Sequence, residues 1–224
     1  MSPKKKTKAR KPFRERSFSD SAEHSGKAAK PPVKRIGKKM LRVIGGDFKR
    51  RSVVYSGDLQ TRPMKDSVRE NMFNILGKGI KGTVAWDLFA GTGIIAIEAI
   101  SRGAEQAIAI DISRECSRLI RTSATKMGIE EKLDCLTGDT FRIAPTRLRF
   151  QKGERRVVFC CPPYKFWETK QEPLNELLLA SMEDAAEGSL IVVETDSKYD
   201  PANLPEADWD VRTYGNTRLA FAEI

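Results

Sequence analysis

The sequence predicts an α/β fold, a mostly parallel seven-stranded sheet with helices on both faces. Three observations carry this. From about residue 83, short apolar runs alternate with helical patterns, as parallel strands joined by crossover helices require. The stretch from Val84 to Ala96 reads as a strand, a tight loop with Gly91 and Gly93, then a helix, the opening of a nucleotide-type unit. Each of the first four strands ends in a polar or unusual group: Asp87, Asp111, Asp139 and the run Cys160-Cys161-Pro162-Pro163-Tyr164. In an open parallel sheet, ligands bind in the crevice beyond those ends.

Residues 1–39 are rich in Lys, Arg, Ser and Pro and cannot bury enough apolar surface to order alone, so a basic disordered arm is expected there. Residues 40–82 should form a small extension: two short strands near 41–44 and 52–55, then a helix from about Lys65 to Leu76. Val68, Met72, Phe73 and Leu76 make its apolar stripe, leaving Arg62, Lys65 and Arg69 for solvent or a ligand. Residues 83–224 form the main domain. Its first strand falls near 83–88 with a helix at 93–102, and its second at 107–110 with a helix at 113–127. The third falls at 133–137 and the fourth at 157–159, with a helix near 172–186. The fifth falls at 190–193. Strands near 209–214 and 217–222 pair antiparallel through Gly215-Asn216.

Charge is unevenly spread. Residues 1–42 hold fifteen Lys/Arg against three Asp/Glu, whereas the remaining 182 residues are nearly balanced. Such an arm attracts phosphates with little sequence preference. With Lys49, Arg50, Arg51, Arg62, Lys65 and Arg69 it marks an expected RNA-binding side. Residues 168–210 carry twelve acids and two lysines, an expected far side. Mean hydropathy is −0.45, and no apolar run reaches the roughly 18–20 residues a membrane span needs. The four cysteines show no metal-chelating spacing, so reduced thiols in a cytoplasmic protein are expected, with no metal. His24, the only histidine, lies in the arm and is a poor candidate for catalysis.

The loop Gly91-Thr92-Gly93-Ile94-Ile95-Ala96 also satisfies the dinucleotide fingerprint, and Asp111 sits where a ribose-binding acid belongs. Asp87, however, stands at the loop mouth. A carboxylate there repels a pyrophosphate and suits a cation. S-adenosylmethionine carries an ammonium and a sulfonium and no phosphate. Asp111 can accept from its ribose hydroxyls and Asp139 from its adenine amino group.

The run Asp87-Leu-Phe-Ala-Gly-Thr-Gly93 together with Cys161-Pro-Pro-Tyr164 resembles the Rossmann-like class I methyltransferases that act on exocyclic amino groups of bases. Residues 41–222 more narrowly resemble the bacterial 16S rRNA (guanine-N2)-methyltransferase family. That match rests on Arg42-Val-Ile-Gly-Gly46, Thr61-Arg-Pro63, Asp66-Ser-Val-Arg-Glu70, Met72-Phe-Asn74 and Tyr214-Gly-Asn-Thr217. The resemblance implies methyl transfer from S-adenosylmethionine to N2 of one guanine in small-subunit rRNA, free or in the assembling 30S particle, by a monomer. It implies a cofactor site made by Asp87, Phe89, Ala90, Gly91, Gly93, Asp111, Ile112, Asp139 and Thr140. The target guanine falls to Cys161, Pro162, Pro163 and Tyr164, with Tyr164 stacking on a flipped base.

One position departs from the family pattern. Cys161 stands where Asp or Asn accepts an N–H of the target amino group. A neutral thiol accepts weakly, and a thiolate better, but an unassisted cysteine ionises only near about 8.5. Two rivals follow: an RNA-binding protein with weak or no catalysis, and an amino-methyltransferase acting on DNA or another RNA.

Overall fold

The computed structural model describes residues 40–54, 56, 57 and 63–224; the arm and Arg62 lie outside them. The extension contains β1 (Leu41–Arg42) and β2 (Ser52–Val53), paired antiparallel, then α1 (Asp66–Leu76) and a 3-10 turn. The main domain follows as β3 (Val84–Asp87), α2 (Ile94–Ser101), β4 (Gln106–Asp111), α3 (Arg114–Met127), β5 (Leu133–Thr137) and α4 (Thr140–Arg149). It continues with β6 (Arg156–Cys160), α5 (Lys165–Thr169), α6 (Gln171–Met182), β7 (Leu190–Asp196), β8 (Asp210–Tyr214) and β9 (Thr217–Glu223).

The seven main-domain strands form one sheet in the order β5-β4-β3-β6-β7-β9-β8. β3 through β7 run parallel, whereas β9 is antiparallel to both β7 and β8. The chain winds outward from β3 in one direction and from β6 in the other. The crevice between their C-terminal ends is therefore the switch point where such folds bind ligands.

Alternation along the strands splits the core into two layers. Ala85, Ala107, Val157 and Phe159 face the α1, α2 and α3 side. Trp86, Ile108, Val158 and Cys160 face the α4, α5 and α6 side. The extension shares the first layer, because Val43, Val53, Met72 and Phe73 pack with Ile97 and Ile100 of α2. Gly46 fits this junction for a specific reason. Its φ is +76°, and an added Cβ would stand 1.7 Å from the Ser101 carbonyl oxygen, so only glycine lets the loop reach α2.

Two expectations from the sequence need correction. The segment between β5 and β6 contains α4, for which the sequence pattern gives no clear signal. Pro145 inside it removes a donor, and its arginines blur the apolar period. Arg69, expected on the RNA-facing surface, is fully buried. Its Nε donates to Glu98 Oε2 at 2.9 Å, and its terminal nitrogens reach Asp66 and the carbonyls of Arg42 and Met64. Arg69 therefore ties α1 and β1 to α2 and has no free donor face for RNA.

Candidate active site at the sheet switch point

β3 delivers Asp87 to the crevice, and burial dominates its chemistry. One carboxylate oxygen accepts from the Ala96 amide in the first turn of α2, at 3.3 Å. The other, Oδ1, is buried without a partner among the described residues. Burial, with the Asp111 charge adding to it against the Ala96 and Phe89 amides, pushes the Asp87 carboxyl up to about 7. A buried acceptor this costly to leave unpaired fits a cationic donor supplied by a ligand.

The loop after Asp87 is shaped for close approach. Gly93 opens α2 with φ +71°, and a Cβ there would come within 2.6 Å of Ile120. The Gly91 amide donates to Asp111 Oδ2 at 2.7 Å, and the Ser113 amide donates to Asp111 Oδ1 at 2.7 Å. Asp111 is thus aimed across the loop mouth by two backbone donors. Its carboxyl is raised by burial against the lowering effect of those amides. Next to it, Ile112 is 75 % exposed, an apolar side chain with no core to cover it. An exposed isoleucine at a strand end, beside an acid, is suited to cover the face of a flat ring.

Asp139 caps α4, its Oδ1 accepting from the Phe141 amide at 3.1 Å. This leaves Oδ2 for an incoming donor. Thr140 is buried, and its hydroxyl has no partner among the described residues. Phe89 in the loop after β3, Phe141 in the first turn of α4 and Phe166 in the first turn of α5 meet with ring centroids 5.8–6.2 Å apart. Lys170 places its ammonium 4.5 Å from the Phe166 centroid. Every group expected to hold the cofactor is therefore gathered at one edge. The orphaned Asp87 Oδ1 and Thr140 hydroxyl and the bare Ile112 fit the ammonium and the adenosine of S-adenosylmethionine.

β6 brings the Cys161–Tyr164 loop alongside, since Asp87 pairs in register with Phe159. The Tyr164 hydroxyl donates to Glu194 Oε1 at 2.9 Å and lies 2.9 Å from the Thr217 hydroxyl. The Trp167 indole donates to the Glu194 carbonyl at 2.9 Å. Burial first, then the charges of Glu194 and Asp87, push the Cys161 thiol well above its ordinary ionisation. Burial and these charges thereby favour the protonated thiol at position 161. The same two causes, burial and Glu194, raise the Tyr164 phenol.

Two residues of this site, Glu194 and Thr217, are not among those the sequence singles out. Glu194 is hidden because the apolar run of β7 ends at Val193, although the strand continues to Asp196. Applying the strand-end rule to this fifth strand exposes it. Thr217 carries no signal beyond its place in the Tyr214–Thr217 motif.

The basic residues divide. Lys65 precedes α1, whose first turns lie beside Glu98 in the middle of α2. Lys49, Arg50 and Arg51 follow the junction of Gly46 with Ser101, at the far end of α2, and the Arg51 guanidinium donates to the Met127 carbonyl at the end of α3. They are exposed, but the structure does not bring them to the reacting edge. α2, eight residues at about 1.5 Å each, puts roughly 12 Å between its start at the Gly91–Gly93 loop and that far end.

Comparison with known proteins shows the family. Residues 41–223 match the family described as Conserved hypothetical protein 95. A Bacillus subtilis protein provisionally assigned as an rRNA methyltransferase, YlbH, is 32% identical over 186 residues, covering 81% of this chain and 97% of its own. Ribosomal RNA small subunit methyltransferase D of Escherichia coli K12 is 30% identical over 182 residues, covering 78% of this chain and 84% of its own. Among solved structures, yhhF of Escherichia coli, provisionally assigned as a methyltransferase, superposes with TM-score 0.64 at 26% identity, over 83% of this chain and 98% of its own. A hypothetical protein of Thermus thermophilus shares the fold, with TM-score 0.68 at 23% identity over 82% of this chain and 99% of its own. With the motifs and these relatives in agreement, the chain belongs to the Conserved hypothetical protein 95 family, that of the S-adenosylmethionine-dependent small-subunit rRNA methyltransferases D.

Proposed function

We propose that this chain transfers a methyl group to the exocyclic N2 of one guanine in small-subunit rRNA. The observation that carries the reading is Asp87, a buried carboxylate with one unpartnered oxygen at the mouth of a glycine loop. Beside it stands a Pro-Pro-Tyr loop on the next strand. S-adenosylmethionine, when bound, supplies an electrophilic methyl on a sulfonium. Asp87 holds its ammonium, Asp111 its ribose hydroxyls, and Ile112, Asp139 and Thr140 its adenine. Phe89, Ala90, Gly91 and Gly93 form the backbone cradle.

The acceptor amine is a poor nucleophile because its lone pair is delocalised into the base. The protein's task is to accept its N–H bonds and align it for in-line transfer. A backbone carbonyl of Cys161 or Pro162 takes one of those N–H bonds, and Pro163 stiffens the loop. Tyr164, tethered by its hydroxyl, presents its ring in a fixed direction for stacking on a base taken out of its own stack. The names of the relatives point to small-subunit rRNA as the substrate. A large acceptor, naked or in the assembling 30S particle, can also reach Lys49, Arg50 and Arg51 at the far end of α2. The arm and Arg62 would extend that grip.

Tritiated methyl transfer to small subunits lacking the modification tests the reading, with DNA and other RNAs as competitors. Incorporation into N2-methylguanine of the small-subunit RNA alone is expected. No transfer by the wild type, with a gain in Cys161→Asp, would instead make the chain a binding protein.

A further inference from the structure

Position 161 leaves the amine without the side-chain acceptor that the motif implies. The thiol is kept protonated, and a protonated thiol accepts hydrogen bonds poorly. The geometry offers a carboxylate next door. β6 and β7 are parallel neighbours with Cys160 opposite Val193, so Cys161 and Glu194 are the next residues along on adjacent strands. Glu194 is half-buried and makes no ion pair with any described residue. It is held instead by a neutral donor, the Tyr164 hydroxyl at 2.9 Å, with Cys161 on the neighbouring strand beside it. Its carbonyl takes the Trp167 indole. Thr217 braces the Tyr164 hydroxyl from β9. A half-buried acid without a cation is costly, and the Tyr164–Thr217 pair could satisfy itself without it.

We propose that Glu194 is the acceptor for the reacting amino group, taking the part that position 161 does not fill. This rests on the transfer to a guanine amine proposed above. The amine donates an N–H to the Glu194 carboxylate. The nitrogen lone pair forms the bond to the methyl carbon as the carbon–sulfur bond breaks, its electron pair remaining on sulfur as a neutral thioether. The nitrogen, now positively charged, gives one proton to Glu194, which passes it to water. Burial raises the Glu194 carboxyl above the ordinary glutamate range, which makes it a better proton acceptor once ionised. Tyr164 is its positioning residue.

The test compares wild type, Glu194→Gln and Tyr164→Phe in methyl transfer to undermodified small subunits across pH, with S-adenosylmethionine binding followed by calorimetry. Glu194→Gln should lower kcat by about 10²–10³-fold, the usual cost of losing one oriented polar partner. KM for the particle and Kd for the cofactor should stay within roughly threefold, as for an interaction made only in the transition state. The acid limb of the wild-type kcat profile should vanish. Tyr164→Phe removes a donor that favours the ionised carboxylate, so its acid limb should move to higher pH. A Glu194→Gln kcat within about threefold of wild type, or loss of its cofactor binding with the fold intact, overturns the proposal. If that variant does not fold, an unmoved acid limb in Tyr164→Phe overturns it. A wild type that transfers no methyl overturns the guanine reading and this role together. An active wild type with an unaffected variant overturns this role alone.

Discussion

With Asp87 as the proposed ammonium site, cofactor binding should depend on pH. Its carboxyl is pushed up to about 7 by burial, and an ammonium at Oδ1 favours the ionised form. Below that value binding must release the proton, so affinity rises with pH, by up to about tenfold per unit, and levels off near 7. At pH 7, titration calorimetry in buffers of different ionisation enthalpy should detect about half a proton released per cofactor bound. Asp87→Asn should flatten the profile and weaken binding by roughly ten- to hundredfold, the cost of a charged hydrogen bond. A wild-type affinity unchanged between about pH 5.5 and 7 would remove Asp87 from the ammonium site.

At the scale of elements, one buried ion pair reinforces the apolar packing between α1 and α2. Arg69 and Glu98 are both fully buried and 2.9 Å apart, with Arg102 as a second partner to Glu98. Truncating one member of such a pair strands the other. Arg69→Ala should therefore cost about 3 kcal/mol in denaturant unfolding, near the low end for buried pairs because Arg102 remains. RNA affinity of the folded fraction should be unchanged; a selective loss of RNA binding would restore Arg69 to the surface role its sequence suggested. The sequence shows this arginine only as a cation on the polar side of a helix. Its partner lies 29 residues away, beyond the reach of any local pattern. The parallel strands are legible because their apolar runs end in Asp87, Asp111 and Asp139, a signal contained within each strand. α4 is not, because Pro145 and its arginines break the local period. Glu194 is not, because its meaning comes from the strand beside it and from Tyr164, 30 residues earlier.

Over the whole molecule, the exposed cations of the hairpin and the chemistry occupy opposite ends of α2. Exchanging Lys49 and Arg50 for Glu should weaken binding to small-subunit RNA similarly across sequences. The slope of log affinity against log salt should fall by about one for each phosphate no longer neutralised. Cofactor binding and the melting temperature should hold. An unchanged salt slope would assign these cations to solvent. The separation along α2 has a further consequence. An RNA that engages both the hairpin beyond Gly46 and the crevice must span at least about 12 Å, more than a single nucleotide reaches. A salt slope that implicates the hairpin would therefore make the distance between hairpin and crevice a minimum length for the RNA gripped, beside the choice of base.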